Sequence, residues 1–350
     1  MQREIVIHIG FPKSGSTALQ TFFSQNREQL LGHSVDYLPI GQYDEGKSGR
    51  IASGNGAFLA RSMLTKNNPA FLPWEHPRIE IPFRSAVETS REHKLLLSSE
   101  LFSFAPAESW SNFLGTCENM NLNVRLVAVV RNHCDLLSSA YVQEVKRHRV
   151  ARAPADQIRK LYRKSAFLRY HTYLSMLSAA SNGRVQIVSY DKAAARGALI
   201  TDFLSILGIS SDRGFVIAHS KINISPEPQE VAFLKLCNTY SPRMNFSDIL
   251  AHQHGEPSKK GRPPTSWTVI APKLRDEIQR FFSDEVQRLI KDFNLDQDFF
   301  SPPCTNYVDI DQLKFDASTL ASILARYLVA LDARIETLTQ HSREQKIDNP

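Results

Sequence analysis

The chain has 350 residues, 42% hydrophobic and 22% charged, close to the globular average, which excludes wholesale disorder and collagen-like, low-complexity or throughout-coiled-coil chains. Its net charge of +6 and pI near 9.1 allow anionic ligands without implying nucleic acid. No apolar run approaches the ~18 residues of a membrane-spanning helix. The opening MQREIVIHIGFPKSGST carries an acid early and lacks a long apolar segment, so it does not match a secretory signal. Cysteines at 117, 134, 237 and 304 form no CxxC and no close pair, which fits a reducing compartment and a cytoplasmic location. Peripheral membrane contact stays open.

In chain order, residues 4–10 read as a β-strand, and 15–31 place Ala18, Leu19, Phe22, Phe23, Leu30 and Leu31 at helical spacing. Val35 to Ile40 reads as a second strand, and the Gly-, Ser- and Asn-rich residues 41–70 as loop. KLLLSSELF at 94–102 and VRLVAVVR at 124–131 read as buried strands, with a helix expected over 134–147. A long helical stretch at 155–181, as one helix or two, a strand at 184–190 and a helix at 193–207 follow, then helical patterns at 227–240, 271–293 and 316–340. Continuous apolar strands alternating with helices predict an α/β fold, a three-layer α/β/α sandwich on a central parallel sheet, with C-terminal helices. The expected division is an α/β domain over 1–300 and a helical extension over 301–350.

Gly10-Phe11-Pro12-Lys13-Ser14-Gly15-Ser16-Thr17 leaves a strand and opens a helix. Backbone N–H groups and the positive helix end then point at one spot, as a phosphate requires. Gly15 admits close approach, Ser16 and Thr17 add hydroxyls, and Lys13 adds a full charge. The spacing is near that of a Walker A loop, so the expected sheet is P-loop NTPase-like, but Ser16 follows Gly15 where that loop has lysine, and Lys13 sits inside the turn, which disfavours ordinary ATP hydrolysis. The alternative is a Gly/Ser turn with a solvated lysine.

PKSGST resembles the 5′-phosphosulfate loop of sulfotransferases that use 3′-phosphoadenosine 5′-phosphosulfate (PAPS). The resemblance implies that Lys13 contacts the bridging and sulfuryl oxygens and that Ser14, Gly15, Ser16 and Thr17 hold the 5′-phosphate. A second segment, Arg131-Asn132-His133-Cys134-Asp135-Leu136-Leu137-Ser138-Ser139-Ala140-Tyr141, brings an arginine to a strand end with a serine eight residues on, a cation and a hydroxyl able to grip another phosphate. It is similar to that family's 3′-phosphate motif, departing at His133, where proline is common. Tyr190-Asp191 resembles the segment near the adenine. Ser258-Lys259-Lys260-Gly261-Arg262 resembles the glycan sulfotransferase loop that closes over the cofactor phosphate, which implies Lys260, Gly261 and Arg262 as ligands.

Sulfuryl transfer needs a general base and positive charge on the leaving oxygen. Glu100 ends the strand between the two phosphate motifs, where the carboxyl ends of an open sheet face the ligand crevice. Cytosolic sulfotransferases place a histidine base at that strand end and several glycan-modifying members use a glutamate, so the resemblance permits Glu100. Glu144 and His148 are alternatives, as is a merely capping or salt-bridged Glu100. His8, alone on the first strand, reads as a satisfied core residue. His252 and His254 form HxH without an apparent third ligand, so no metal site is expected; Lys13 and the helix end supply the charge that Mg²⁺ supplies in kinases.

Residues 146–169 carry Lys146, Arg147, Arg149, Arg152, Arg159, Lys160, Arg163, Lys164 and Arg169 against Asp156 alone, which reads either as an acceptor region for an anionic glycan or glycolipid or as a solubilising face. The competing readings of the chain are a nucleotide or small-molecule kinase and a non-catalytic binder of anionic polymers.

Overall fold

The computed structural model describes residues 2–48, 53–210, 214–216, 226–240 and 266–347. The chain divides into two compact units. The first comprises Met1–Leu136, Lys164–Ile222 and Gln279–Pro303, and the second Leu137–Arg163, Asn223–Ile278 and Cys304–Pro350.

The first unit holds the sheet. Its strands are β1 (Arg3–Gly10), β2 (Val35–Tyr37), β3 (Lys94–Ser99), β4 (Leu122–Val130) and β5 (Val185–Ser189), in the order β2-β3-β1-β4-β5, all parallel. The inner strands are apolar on both faces because both faces are covered. Val6, Leu96, Val127 and Val129 pack with Leu19, Phe22 and Phe23 of the helix Ser16–Gln25 and with Phe203 and Leu204 of Leu199–Ile206. The alternate residues Ile5, Ile7 and Ile9 are equally buried. On the opposite side the helix Ala107–Asn119 lies against β4 and against the helix Tyr170–Ala180. This is the expected three-layer α/β/α sandwich. The chain leaves β1 towards β2 and β4 towards β5, so the carboxyl ends of these neighbours part, the place where open α/β sheets bind ligands.

Several boundaries depart from the sequence expectation for local reasons. The helix expected over 15–31 is two, Ser16–Gln25 and Arg27–Leu31. Asn26, buried between them, bonds through Nδ2 to the carbonyls of Phe22 and Val216 and accepts from the Val216 N–H, a local competition that interrupts helices. Gly197, at φ 64°, separates the helices Tyr190–Ala195 and Leu199–Ile206. The stretch at 155–181, by contrast, takes the two-helix form the sequence allowed, Pro154–Lys164 and Tyr170–Ala180 with a 3₁₀ turn between. Residues 41–70 are not all loop, since Tyr43–Lys47 and Ala57–Ser62 are helical, and the helices Glu80–Thr89 and Ala107–Asn119 had no sequence counterpart.

The second unit contains the helices Pro228–Tyr240 and Ala317–Ile347. Its basic stretch is less unbalanced than the local sequence suggests. Arg159 and Arg163 both reach Glu277, at 2.8 and 3.8 Å, and Arg159 and the Tyr162 hydroxyl hold that carboxyl down to about 2.

Candidate active site

Registers align the three central strands so that His8 lies level with Ser98 and Val127, and Gly10 level with Val129. The residues that follow each strand therefore emerge at one edge: the Lys13 turn after β1, Glu100 after β3 and Arg131 after β4. Val130 pairs with Ser189, which sets Tyr190 beside Arg131.

The first junction is tight. Lys13 adopts φ 63°, a left-handed conformation unusual for a residue with a Cβ. Gly15 caps the helix Ser16–Gln25 at φ 80°, and no side chain caps that helix end, which leaves its positive pole available to an anion. A Cβ on Gly15 would meet Leu199 at 2.5 Å and the Tyr190 ring at 2.8 Å. Gly15→Ala should therefore lower stability by about 1–2 kcal/mol from the backbone alone, with the two contacts adding to it. Thermal unfolding checks this, and an unchanged midpoint would contradict the turn described.

Glu100 lies one residue beyond β3, at the start of a short 3₁₀ turn rather than within a strand running to 102. A Cβ on Gly10 would sit 3.3 Å from the Glu100 side chain and 2.3 Å from Ser16 Oγ, so the glycine lets the carboxylate-bearing strand end approach the phosphate-type turn. Burial raises the Glu100 pKa and the Lys13 charge lowers it. A desolvated carboxyl beside a lysine is suited to accept a proton. Ser16 Oγ is buried and has no hydrogen-bond partner, which calls for a polar group at this turn. Ser14 is also buried, its hydroxyl 3.5 Å from the Pro12 carbonyl. Thr17 is half-buried.

Arg131 ties the second junction to the first. Its Nη1 donates to the Lys13 carbonyl at 2.9 Å, its guanidinium lies 5.0 Å over the Tyr190 ring, and its Nε is 3.7 Å from Asp191 and without a hydrogen bond. The Tyr170 hydroxyl donates to the Arg131 carbonyl. Lys13, Gly15, Ser16, Glu100, Arg131 and Tyr190 thus converge on one sheet edge of the first unit. Ser139 is half-buried in the second unit's part of the helix His133–His148. Lys260, Gly261 and Arg262, like His252 and His254, lie outside the described residues.

Asp191 was not expected to matter beyond its neighbour Tyr190. It accepts from the Asn132 N–H at 2.6 Å and faces Arg131. Burial lifts its pKa to about 6 against the lowering effects of the Asn132 N–H and Arg131. The folded protein therefore holds this proton more tightly than the unfolded chain, whose Asp titrates near ~3.9. The stability from that proton is full below the unfolded value and lost as pH rises to about 6. Asp191→Asn should consequently gain on the wild type in thermal midpoint as pH rises from 4 through 6, and a pH-independent difference would contradict this.

Asn55 was also missed. It is buried, its Oδ1 accepts from the Ser98 N–H and its Nδ2 donates to the carbonyls of Leu38 and Leu96, pinning a loop to the end of β3 two residues before Glu100. The Gly54-Asn55-Gly56 run was its only sequence signal. His8 is a core residue, bonded through Nδ1 to Ser98 Oγ and lowered by burial to about 3. His133 bonds to the Leu168 carbonyl and stacks on Tyr170 and Phe282. Of the alternative bases, Glu144 accepts from Gln157, and His148 is exposed. Among the described residues no group of His, Cys, Asp and Glu could hold a metal ion, and no helix is long and apolar enough to cross a membrane.

Among solved structures, the chain is similar to the crystal structure of a sulfotransferase from Alicyclobacillus acidocaldarius, with a TM-score of 0.47 and 13% sequence identity over 85% of this chain and 98% of that one. At that level the likeness does not bear on chemistry. No family model matches the chain, and no curated protein matches it.

Proposed function

We propose that the chain is a PAPS-dependent sulfotransferase acting on a hydroxyl of an anionic glycan or glycolipid. The observation that supports this most is the convergence of Lys13, the uncapped helix end at Gly15, Glu100 and Arg131 on one edge of the sheet. In the proposed reaction the acceptor oxygen attacks the sulfur of PAPS and the bond from sulfur to the bridging oxygen breaks. The acceptor proton passes to Glu100. The electron pair stays on the leaving phosphate, where Lys13 and the backbone N–H groups of Ser16 and Thr17 meet the growing charge. Ser14 and Gly15 shape the turn around the 5′-phosphate. Arg131 takes the 3′-phosphate, with Tyr190 against the adenine; Ser139, Lys260, Gly261 and Arg262 are further nucleotide ligands on the sequence resemblance alone.

An anionic acceptor is supported by Arg147, Arg152 and Lys160, which are exposed in the basic stretch. The test is transfer of radiolabelled sulfate from PAPS to a panel of acidic and neutral glycans and glycolipids in the presence of chelator. The expected result is metal-independent labelling that favours acidic acceptors. Labelling from ATP that needs Mg²⁺, with none from PAPS, would replace this reading with a kinase.

A further inference from the structure

The helix Ala317–Ile347 is 31 residues long, roughly 45 Å at its ordinary rise. It docks within the second unit through Ile323 and Tyr327, both buried, the Tyr327 ring lying 5.3 Å from Phe233 on the helix Pro228–Tyr240. Beside that docked face runs a second apolar row. Leu324, Leu328, Leu331 and Ile335 are 43, 66, 38 and 53% exposed.

The spacing of the row identifies its partner. The steps are four, three and four residues, and Leu338 follows three further on in the sequence. At about 100° per residue, the row covers an arc of only ~60°. The row adjoins the docked Ile323 and Tyr327, and the exposed Val329 lies off it; its mean repeat of 3.5 residues is what keeps a seam facing another helix of the same repeat as the two supercoil. Leu328 and Ile335 take the a positions and Leu324 and Leu331 the d positions. Leucine at both d positions, with β-branched Ile335 at one of the two a positions and Leu328 at the other, is compatible with two parallel strands. From Leu324 to Ile347 the sequence has four Lys and Arg and three Asp and Glu. That near-balance is not the cationic face of a helix that binds anionic membranes.

We propose that this row pairs with the same row on a second copy of the chain, as a parallel two-stranded coiled coil. Four half-exposed aliphatic side chains form a patch of a few hundred Å², less than the ~800 Å² per partner of a standard interface, so the dimer dissociates on dilution.

Light scattering on the full chain across a concentration series tests this. The mass should rise from 39.6 kDa towards twice that value. The double variant Leu328→Glu/Ile335→Glu should stay monomeric throughout, with an unchanged circular dichroism spectrum because both side chains are exposed. Independently of that variant, Ile335→Cys under mild oxidation should give a covalent dimer absent from the wild type, since equal a positions meet in a parallel pair. A wild type that stays monomeric, a dimer that survives the double variant, or Ile335→Cys that fails to cross-link would each overturn the proposal. So would a monomer whose binding to phosphatidylserine vesicles is lost in the double variant, which would give the row to lipid.

Discussion

Replacing Lys13 by alanine should abolish sulfuryl transfer, lowering kcat by at least about 10²–10³-fold, the range seen when a single group that stabilises developing charge is removed, while the fold survives. Lys13 sits in the turn between β1 and the first helix at φ 63°. Alanine meets the same backbone strain there as lysine, so stability should change little. The carbonyl that accepts from Arg131 belongs to the main chain and is kept. The loss should therefore appear in kcat, with a smaller effect on nucleotide affinity. Steady-state kinetics alongside thermal unfolding separate the outcomes. If Lys13→Ala retained wild-type turnover, the leaving phosphate would not be stabilised at this turn. If turnover and the unfolding midpoint fell together, the lysine would be structural.

Glu100→Gln should be nearly as damaging, with a kcat loss of about 10²–10⁴-fold for removal of a general base. Glutamine keeps the shape beside Gly10 and Ser16 but cannot take the proton. Burial raises the Glu100 pKa while Lys13 opposes the rise, so the rate should fall on the acid side as the carboxyl protonates, and Lys13→Ala should shift that limb to higher pH in any residual activity. Glu144→Gln and His148→Asn are the controls. Glu144 is engaged by Gln157, and neither substitution should cost more than a few-fold. A variant at Glu144 or His148 that matched the loss expected of Glu100→Gln would move the base to that residue.

The parts of the site readable in the sequence are those built from contiguous residues. β1 and β4 are largely apolar runs because they are buried on both faces, and each ends at a polar junction, Lys13 to Thr17 on one and Arg131 on the other. The parallel registers then place Glu100 at the same edge. What stayed hidden depends on partners distant in the chain. Arg159 and Arg163 looked like unopposed charge because Glu277, which pairs with both, comes from another helix. Asn26 splits a helix through its bonds to Val216, which no helical periodicity records. Asp191 gains its raised pKa from burial beside Asn132 and Arg131, and Asn55 its role from the backbone of β3.

Thermal stabilisation by 3′-phosphoadenosine 5′-phosphate, measured with and without chelator and against ATP with Mg²⁺, bears most directly on whether this sheet edge grips both ends of an adenosine bisphosphate. The expected result is a concentration-dependent rise in midpoint that chelator leaves intact, that ATP does not reproduce, and that Arg131→Ala removes. A rise with ATP that requires Mg²⁺, or none with the bisphosphate, would contradict the account.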